Sequence, residues 1–311
     1  MRAVGVTTYG GPEALELVDL PEVHAGPGEV RLRVYAATVN PTDTYVRNGD
    51  RAKVQSADPG PYVPGMDAAG IVDEVGEGVT TGIAVGDRAM AIVVPKGTHG
   101  AYRESLVLPA GSVTRSPEGT SHAEASTLPM NGLTARLSLD LLGLQPGQTI
   151  AVTGAAGCYG GYVVQLAKAD GLTVIADASE ADTELVTSLG ADIVVPRGAG
   201  FAAEVRKHFP NGVDGLADGS VQNDEVIDAI ADGGAFTSVR GYQGEPQRDI
   251  TFSVTWVISY ATEHAKLDQL RAQTEAGEVS LRVAQTYPAA QASEAHARLE
   301  AGGTRGRCVI E

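Results

Sequence analysis

The sequence predicts an α/β protein with two domains, one built of β-strands and the other a doubly wound parallel sheet. Short strand patterns separated by glycine and proline fill residues 1–120, as in a barrel or sandwich. Strand and helix patterns alternate over residues 121–254, which indicates βα units. Residues 255–311 contain two amphipathic helices and two strands, and we expect them to complete the first domain.

The first domain is predicted from short strands and one helix. The strands are Ala3–Thr7, Leu15–Val18, Glu29–Val39, Gly70–Val75, Arg88–Val93 and Ser105–Pro109. The helix begins near Pro41, because proline fits a first helical turn and the acid Asp43 suits the helix dipole there. The tail adds helices Thr262–Ala276 and Ala289–Ala301 and strands Leu281–Tyr287 and Gly306–Ile310.

The second domain is predicted from strands that alternate with helices. The strands are Ile150–Val152, Thr173–Ala176, Asp192–Val195, Val213–Ala217 and Ala235–Val239. The helices are Ser121–Thr127, Gly132–Leu142, Gly160–Ala169, Thr183–Ser188, Phe201–His208 and Asn223–Ala231.

Composition argues against several classes of partner. The formal net charge of -16 disfavours nucleic acid and anionic membranes, since both would be repelled. No apolar run approaches the ~20 residues of a membrane span. The two cysteines, Cys158 and Cys308, predict neither a disulfide framework nor a cysteine-rich zinc site. A cytoplasmic protein with a small-molecule substrate is therefore expected.

A glycine-rich turn follows the predicted strand Ile150–Val152 and opens the next helix. It comprises Gly154, Ala155, Ala156, Gly157, Cys158, Tyr159 and Gly160. Such a turn presents backbone N–H groups and the helix dipole to a phosphate, so it predicts a dinucleotide-binding site. A plain structural turn is the alternative. We expect Cys158 to be a small packing residue or a reactive thiol, and Tyr159 to shape the pocket.

The end of the second strand bears on the choice of dinucleotide. Asp177 lies about 20 residues beyond the turn, where an acid hydrogen-bonds the adenosine ribose. Ala178 and Ser179 follow it, and Asp182 adds a second carboxylate. Two carboxylates would repel a 2′-phosphate, so NAD(H) is slightly favoured over NADP(H). The alternatives are that Asp177 caps the following helix and that Arg197 folds over the site.

Several further segments carry a resemblance to a known family. They are Asn40–Gly49, Pro64–Gly70, Val85–Arg88, Leu128–Ala135, the glycine-rich turn and Gly302–Arg307. Over nearly its whole length the chain resembles medium-chain dehydrogenase/reductases of the zinc-free quinone oxidoreductase (zeta-crystallin-like) group. The resemblance implies a GroES-like β-barrel catalytic domain at 1–120 and 255–311 and a Rossmann domain at 121–254. It also implies a homodimer, for which we expect Ala235–Val239 to be the edge strand.

The resemblance implies hydride transfer without a metal. Zinc members of the superfamily have a catalytic cysteine where Asn40 stands and a histidine where Met66 stands, so no metal site is expected. The expected reaction moves hydride from NAD(P)H to a quinone or an α,β-unsaturated carbonyl. The alternatives are a reductase of a specialised metabolite and a nucleotide-binding protein without catalysis.

The resemblance further implies that Asn40, Asp43 and Tyr45 are catalytic. We expect Asn40 to donate a hydrogen bond to the developing enolate or quinol oxygen and also to contact the cofactor. Tyr45 is expected to donate its phenol proton or line the pocket, and Asp43 to orient the nicotinamide ribose or Tyr45. For Asn40 and Asp43 the alternative is helix capping. Asp67 is expected to be structural.

More cofactor contacts are expected outside the turn. Thr134 matches a family position whose hydroxyl meets the nicotinamide, with ordinary helix packing as the alternative. Arg307 matches a position near the pyrophosphate, with a surface cation as the alternative. Arg240 and Gly241 follow a strand at its carboxyl end, where ligands bind in open α/β sheets.

Overall fold

The computed structural model describes residues 1–50 and 60–311. Its contacts divide the chain into two compact units, one of residues 1–130 and 258–311 and the other of residues 131–257. The domain limits at residues 120 and 254 stay a prediction. Within the described ranges, no helix is long and apolar enough to cross a membrane.

Strands predominate in the first unit, and strands alternate with helices over most of the second. The strands are β1 Arg2–Gly5, β2 Glu16–Asp19, β3 Glu29–Thr38, β4 Asp67–Val75, β5 Arg88–Ile92, β6 Ser105–Pro109, β7 Val113–Arg115, β8 Thr149–Thr153, β9 Thr173–Ala178, β10 Ile193–Pro196, β11 Val213–Asp218, β12 Ile230–Ser238, β13 Thr251–Val254, β14 Val283–Tyr287 and β15 Arg307–Ile310. The α-helices are α1 Pro41–Asn48, α2 His122–Ser126, α3 Pro129–Leu142, α4 Cys158–Ala169, α5 Thr183–Ser188, α6 Phe201–His208, α7 His264–Glu275 and α8 Ala292–Glu300.

The first unit is organised around the long strand β3. Its sheet has seven strands in the order β14-β15-β3-β4-β5-β7, and β6 also pairs with β3. The first half of β3 is antiparallel to β6, whereas its last residues, Ala37 and Thr38, pair with β15. In the first half of β3 apolar Val30 and Leu32 are buried and alternate with charged residues, as expected when one face packs on a core. From Ala36 onward every residue of β3 is buried.

The second unit is the predicted doubly wound sheet. Its six strands are all parallel and follow the order β10-β9-β8-β11-β12-β13. Parallel strands covered on both faces are apolar throughout, and β8 illustrates this because Ile150, Ala151 and Val152 are all fully buried. The carboxyl ends of β8, β9, β11 and β12 meet at one edge, where the glycine-rich turn leaves β8.

Two predictions differ from the structure, and two short strands, β7 and β13, were not predicted. The predicted helix Asn223–Ala231 is a 3-10 segment over Asn223–Ala229, after which Ile230 already belongs to β12. The prediction that Ala235–Val239 forms an edge strand is wrong, because β12 pairs on both sides, with β11 and with β13. The sequence Thr251–Val254 supplies the additional strand, so twofold pairing through β12 is excluded and the homodimer stays a prediction.

Candidate active site

The segment that joins β3 to α1 carries the first group of predicted site residues. Asn40 is the N-cap of α1, and Pro41 occupies the first helical position. The Asp43 carboxylate accepts a hydrogen bond from the Asn40 backbone N–H at 2.7 Å and one from Gly65 N–H at 2.9 Å. Asp43 therefore caps the helix, as the structural alternative for this residue supposed. Tyr45 lies further along α1 and is partly buried.

A buried amide–carboxylate pair fixes the side chain of Asn40. Asn40 Nδ2 donates to Asp67 Oδ2 at 2.6 Å, and neither residue is exposed to solvent. The other oxygen of Asp67 accepts from the backbone N–H of Met130 at 2.6 Å. Asp67 is the first residue of β4, so the pair connects the start of that strand to the end of β3. This contact agrees with the expected structural role of Asp67.

Burial makes both carboxyl groups weak acids. It raises the pKa of Asp43 to about 6, although the N–H groups of Asn40 and Gly65 act in the opposite direction. It raises the pKa of Asp67 to about 7, and the nearby charge of Asp43 adds to the rise. The Arg307 guanidinium opposes both shifts. Arg307 is only 8% exposed, so the alternative that it is a surface cation is wrong.

Three residues that the sequence did not single out extend this cluster. Tyr102 donates from its hydroxyl to Asp43 Oδ2 at 3.3 Å and lies 3.1 Å from His296 Nε2. His296 Nδ1 lies 3.2 Å from Arg47 Nη1. A guanidinium only donates, so Nδ1 accepts, Nε2 carries the hydrogen, and the imidazole donates to the Tyr102 oxygen.

The buried histidine of this cluster is neutral. Burial and the adjacent Arg47 lower the pKa of His296 to about 3. Arg47 also forms an ion pair with Glu300 at 2.5 Å. The one signal in the sequence is the helical spacing of four residues between His296 and Glu300, which places both on one face of α8.

The glycine-rich turn has the geometry of a phosphate-binding site. Gly154 follows β8 with φ +69°, a conformation that favours glycine, and Gly157 is the N-cap of α4. A Cβ on Gly160 would lie 2.3 Å from the Gly154 carbonyl oxygen, so only glycine allows this close approach. The helix begins at Cys158, two residues earlier than predicted. The glycine-rich turn therefore fits a dinucleotide pyrophosphate at a helix N-terminus.

Asp177 is tied to this turn. It lies near the end of β9, is 4% exposed, and accepts a hydrogen bond from Ala155 N–H at 3.1 Å. Burial raises its pKa, while N–H groups of the turn and the charge of Arg197 act against the rise. The N-caps of the segments that follow are Ser179 and Asp182, so the alternative that Asp177 is a helix cap is wrong.

The other predicted cofactor contacts lie in the second unit. Ala178 is buried beside Asp177, and the Ser179 hydroxyl donates to the Asp182 carboxylate at 2.5 Å. Thr134 lies on α3 and Cys158 starts α4, and both are buried. Arg240 and Gly241 lie in the loop between β12 and β13, where Gly241 has φ +79°.

Metal ligands are not grouped in this cluster. Across residues 1–50 and 60–311, no three histidine, cysteine, aspartate or glutamate side chains are arranged to hold a metal ion. Asn40 and Met66 both lie in the described part of the first unit and are buried.

Comparison with known proteins identifies the class to which this fold and site belong. Residues 26–118 match the alcohol dehydrogenase GroES-like domain, and residues 189–310 match the zinc-binding dehydrogenase family. The chain belongs to the medium-chain dehydrogenase/reductase superfamily, and within it to the zeta-crystallin-like quinone oxidoreductases. These matches confirm the predicted GroES-like and Rossmann architecture.

Individual relatives cover essentially the whole chain. A quinone oxidoreductase of Pseudomonas aeruginosa is 30% identical over 99% of this chain and 99% of its own length. A 2-methylene-furan-3-one reductase of Solanum lycopersicum is 30% identical over 100% of this chain and 79% of its own length. A mycobacterial protein solved in complex with NADPH is 29% identical, with a TM-score of 0.84 over 100% of this chain and 99% of that one.

Proposed function

We propose that this protein reduces a quinone or an α,β-unsaturated carbonyl with hydride from NAD(P)H and without a metal ion. The observation that carries the proposal is the buried Asn40–Asp67 pair, in which Asn40 stands where zinc members of the superfamily have a catalytic cysteine and its amide is held by a carboxylate. Relatives named quinone oxidoreductase and 2-methylene-furan-3-one reductase support the same substrate classes.

Asn40 is the residue that we propose for polarising the substrate. When bound, the reduced nicotinamide supplies the hydride, and negative charge then develops on the carbonyl oxygen of the acceptor. A hydrogen-bond donor that is already fixed at that oxygen stabilises the charge without reorganising. Asp67 holds the amide of Asn40, and Asp43 holds its backbone, so both carboxylates act as positioning groups. We propose Tyr45 as a second donor or as pocket wall.

The cofactor residues that we propose lie in the second unit, apart from Arg307 and Asn40. The glycine-rich turn would hold the pyrophosphate, Thr134 the nicotinamide, and Asp177 with Ala178 and Ser179 the adenosine ribose. Arg240 and Gly241 lie in a loop that follows β12, whose carboxyl end belongs to the same sheet edge as the turn.

We propose a slight preference for NAD(H). Asp177 and Asp182 put two carboxylates near the end of β9, where a 2′-phosphate would be repelled. Arg197 is the cation whose charge acts on Asp177, and it is exposed, so it is the residue that would oppose this preference. Because a mycobacterial relative was solved in complex with NADPH, the affinities of this protein for NADH and for NADPH must both be measured.

A specialised-metabolite reductase is the second candidate, because a relative bearing such a name matches over the whole chain. The test is oxidation of NADH and of NADPH with three acceptors: a benzoquinone, a furanone with an exocyclic methylene group, and a saturated ketone. We expect turnover of the first two, unchanged after dialysis against a chelator. Turnover of none of them, or of the saturated ketone alone with loss under chelation, would contradict the proposal.

A further inference from the structure

Four buried hydroxyl groups form a connected cluster at the carboxyl edge of the parallel sheet. Tyr159 Oη lies 2.8 Å from Ser138 Oγ, Ser138 Oγ lies 2.9 Å from Thr255 Oγ1, and Thr255 Oγ1 lies 2.6 Å from Thr237 Oγ1. We call these four side chains the hydroxyl cluster. Tyr159 is its most accessible member at 9% exposed, and all four lie in the second unit.

The direction of the first hydrogen bond follows from counting hydrogens. Ser138 Oγ donates its single hydrogen to the backbone carbonyl of Thr134 at 2.9 Å, one helical turn earlier on α3. With that hydrogen on the Thr134 carbonyl, Ser138 accepts from both Tyr159 and Thr255, so the phenol is a donor to it. Burial raises the pKa of Tyr159 far above its ordinary value, so the phenol keeps this hydrogen throughout the physiological range. The tyrosine thus supports the residue that bonds to Thr134.

The ring of Tyr159 also packs against the glycine-rich turn. Tyr159 is the second residue of α4, directly after the segment that cradles phosphate. A Cβ on Gly219 would lie 2.8 Å from Tyr159 Cδ1, and a Cβ on Gly154 would lie 3.1 Å from the Gly219 carbonyl carbon. The ring is therefore held against the loop after β11, and that loop is held against the turn. One side chain therefore contacts both the loop that abuts the turn and the serine that bonds to the Thr134 carbonyl.

We propose that Tyr159 is a positioning residue that fixes the distance between the glycine-rich turn and the Thr134 segment of α3. The inference rests on the proposed function, in which the turn holds the pyrophosphate and Thr134 meets the nicotinamide. In that arrangement Tyr159 determines where the nicotinamide end of the cofactor lies. The hydroxyl adds nothing to the binding of the adenosine diphosphate end, because it is bonded to Ser138 and not to the turn.

The test compares two ligands that differ only in the nicotinamide. ADP-ribose contains the pyrophosphate and both riboses, whereas NADH also carries the nicotinamide. In Tyr159→Phe, the ring stays but Ser138 loses one of its two hydroxyl donors, since Thr255 remains. We expect the Kd for NADH to rise about tenfold, a typical effect of losing a buried hydrogen bond, and the Kd for ADP-ribose to stay within about twofold. Calorimetric titration measures both without turnover.

Two further variants keep the test falsifiable. Tyr162→Phe removes the hydroxyl of another buried tyrosine of α4 and should leave both Kd values near wild type. Ser138→Ala removes the link from the other side and should reproduce the selective loss for NADH. Equal weakening of both ligands in Tyr159→Phe, or no difference from Tyr162→Phe, would overturn the inference alone. A wild-type protein that binds neither ligand would overturn the proposed function, and this inference with it.

Discussion

The side-chain amide of Asn40 donates to the Asp67 carboxylate at 2.6 Å, with both residues fully buried. A second carboxylate, that of Asp43, accepts from the backbone N–H of the same asparagine at 2.7 Å. Asn40 is thus held at its side chain by one acid and at its main chain by another. A donor fixed in this way loses little conformational freedom when an oxygen arrives beside it.

The Asp67→Asn variant tests whether this contact positions Asn40. Asp67 uses both oxygens, one for Asn40 and one for Met130, whereas an asparagine has a single oxygen. One buried N–H donor is therefore left without its acceptor, which lowers the unfolding free energy by about 1–3 kcal/mol. We expect kcat for quinone reduction to fall about 10–100-fold, well beyond the change in the Kd for NADH, since Asn40 is only one of the proposed cofactor contacts.

The control for this experiment is Asp73→Asn, which removes another acid of β4, one that is partly exposed and paired with Arg31. Its kcat should stay close to that of the wild type. The positioning role of Asp67 is contradicted if the two variants lose the same activity, or if Asp67→Asn acts only by weakening the binding of NADH.

The raised pKa values of Asp43 and Asp67 predict a pH-dependent stability. The folded state binds these two protons more tightly than the unfolded chain does. The protonated carboxyl groups therefore make their full contribution to the unfolding free energy below about pH 4. It is lost as pH rises through about 6 for Asp43 and about 7 for Asp67. Asp67→Asn removes one of the two titrations. The unfolding free energy of the wild type should therefore fall relative to that of the variant as pH rises from about 5 to about 7.

Urea titrations at a series of pH values measure this difference, in which ionisable groups distant from Asp67 cancel and the coupled group Asp43 does not. The limiting slope for one proton is about 1.4 kcal/mol per pH unit. A difference in unfolding free energy that does not change over this range would show that Asp67 is ionised at all these pH values.

Asp177→Asn tests the cofactor preference. The asparagine oxygen can still accept from the Ala155 N–H, so that hydrogen bond to the turn is kept, but the negative charge that also faces the Gly154 N–H is gone. We expect the ratio of the Kd for NADPH to that for NADH to fall about tenfold, equivalent to about 1.4 kcal/mol. Asp192→Asn removes a carboxylate that is bound to Lys168 and should leave the ratio unchanged. If the ratio is the same in both variants, Asp177 does not discriminate.

Gly160→Ala tests whether the glycine-rich turn holds the cofactor phosphates. The new Cβ would lie 2.3 Å from the Gly154 carbonyl oxygen, so the turn must move away from α4. We expect the unfolding free energy to fall by about 1–3 kcal/mol and the binding of both NADH and ADP-ribose to weaken. Gly200→Ala is the matched control, because a Cβ there has no atom within 4 Å. Wild-type affinity for ADP-ribose in Gly160→Ala would show that the turn does not hold the phosphates.

Local patterns in the sequence were sufficient for most of the fold. The alternation of strands and helices predicted the parallel sheet, with helices Thr183–Ser188 and Phe201–His208 ending at the predicted residues. Strand boundaries moved by a few residues, because pairing with neighbours extends a strand beyond its apolar centre, as at both ends of β8. The prediction that β12 lies at the edge of the sheet was wrong, because the position of a strand within a sheet depends on partners that no local pattern encodes.

The candidate site was only partly predictable for the same reason. Asn40, Asp43 and the glycine-rich turn are local motifs, in which a cap or a turn is visible within a few residues. Tyr102 and His296 are separated by 194 residues in sequence and meet only after folding. The contact of Tyr159 with Ser138 is likewise tertiary. A family resemblance could identify Asn40 and Asp43, but it could not show that Asp67 holds the Asn40 amide or that the Tyr159 hydroxyl contacts Ser138.

The position of β15 beside β3 has a consequence for biosynthesis. A ribosome makes β3 early, but residues 307–310, which pair with Ala37 and Thr38 in the strand leading to Asn40, emerge after the whole of the parallel sheet. The later unit in sequence can therefore complete its hydrogen bonding first, reversing the usual amino-to-carboxyl order of folding during translation. Until β15 is made, the last residues of β3 present an unpaired β-edge close to Asn40, the residue that we propose for polarising the substrate.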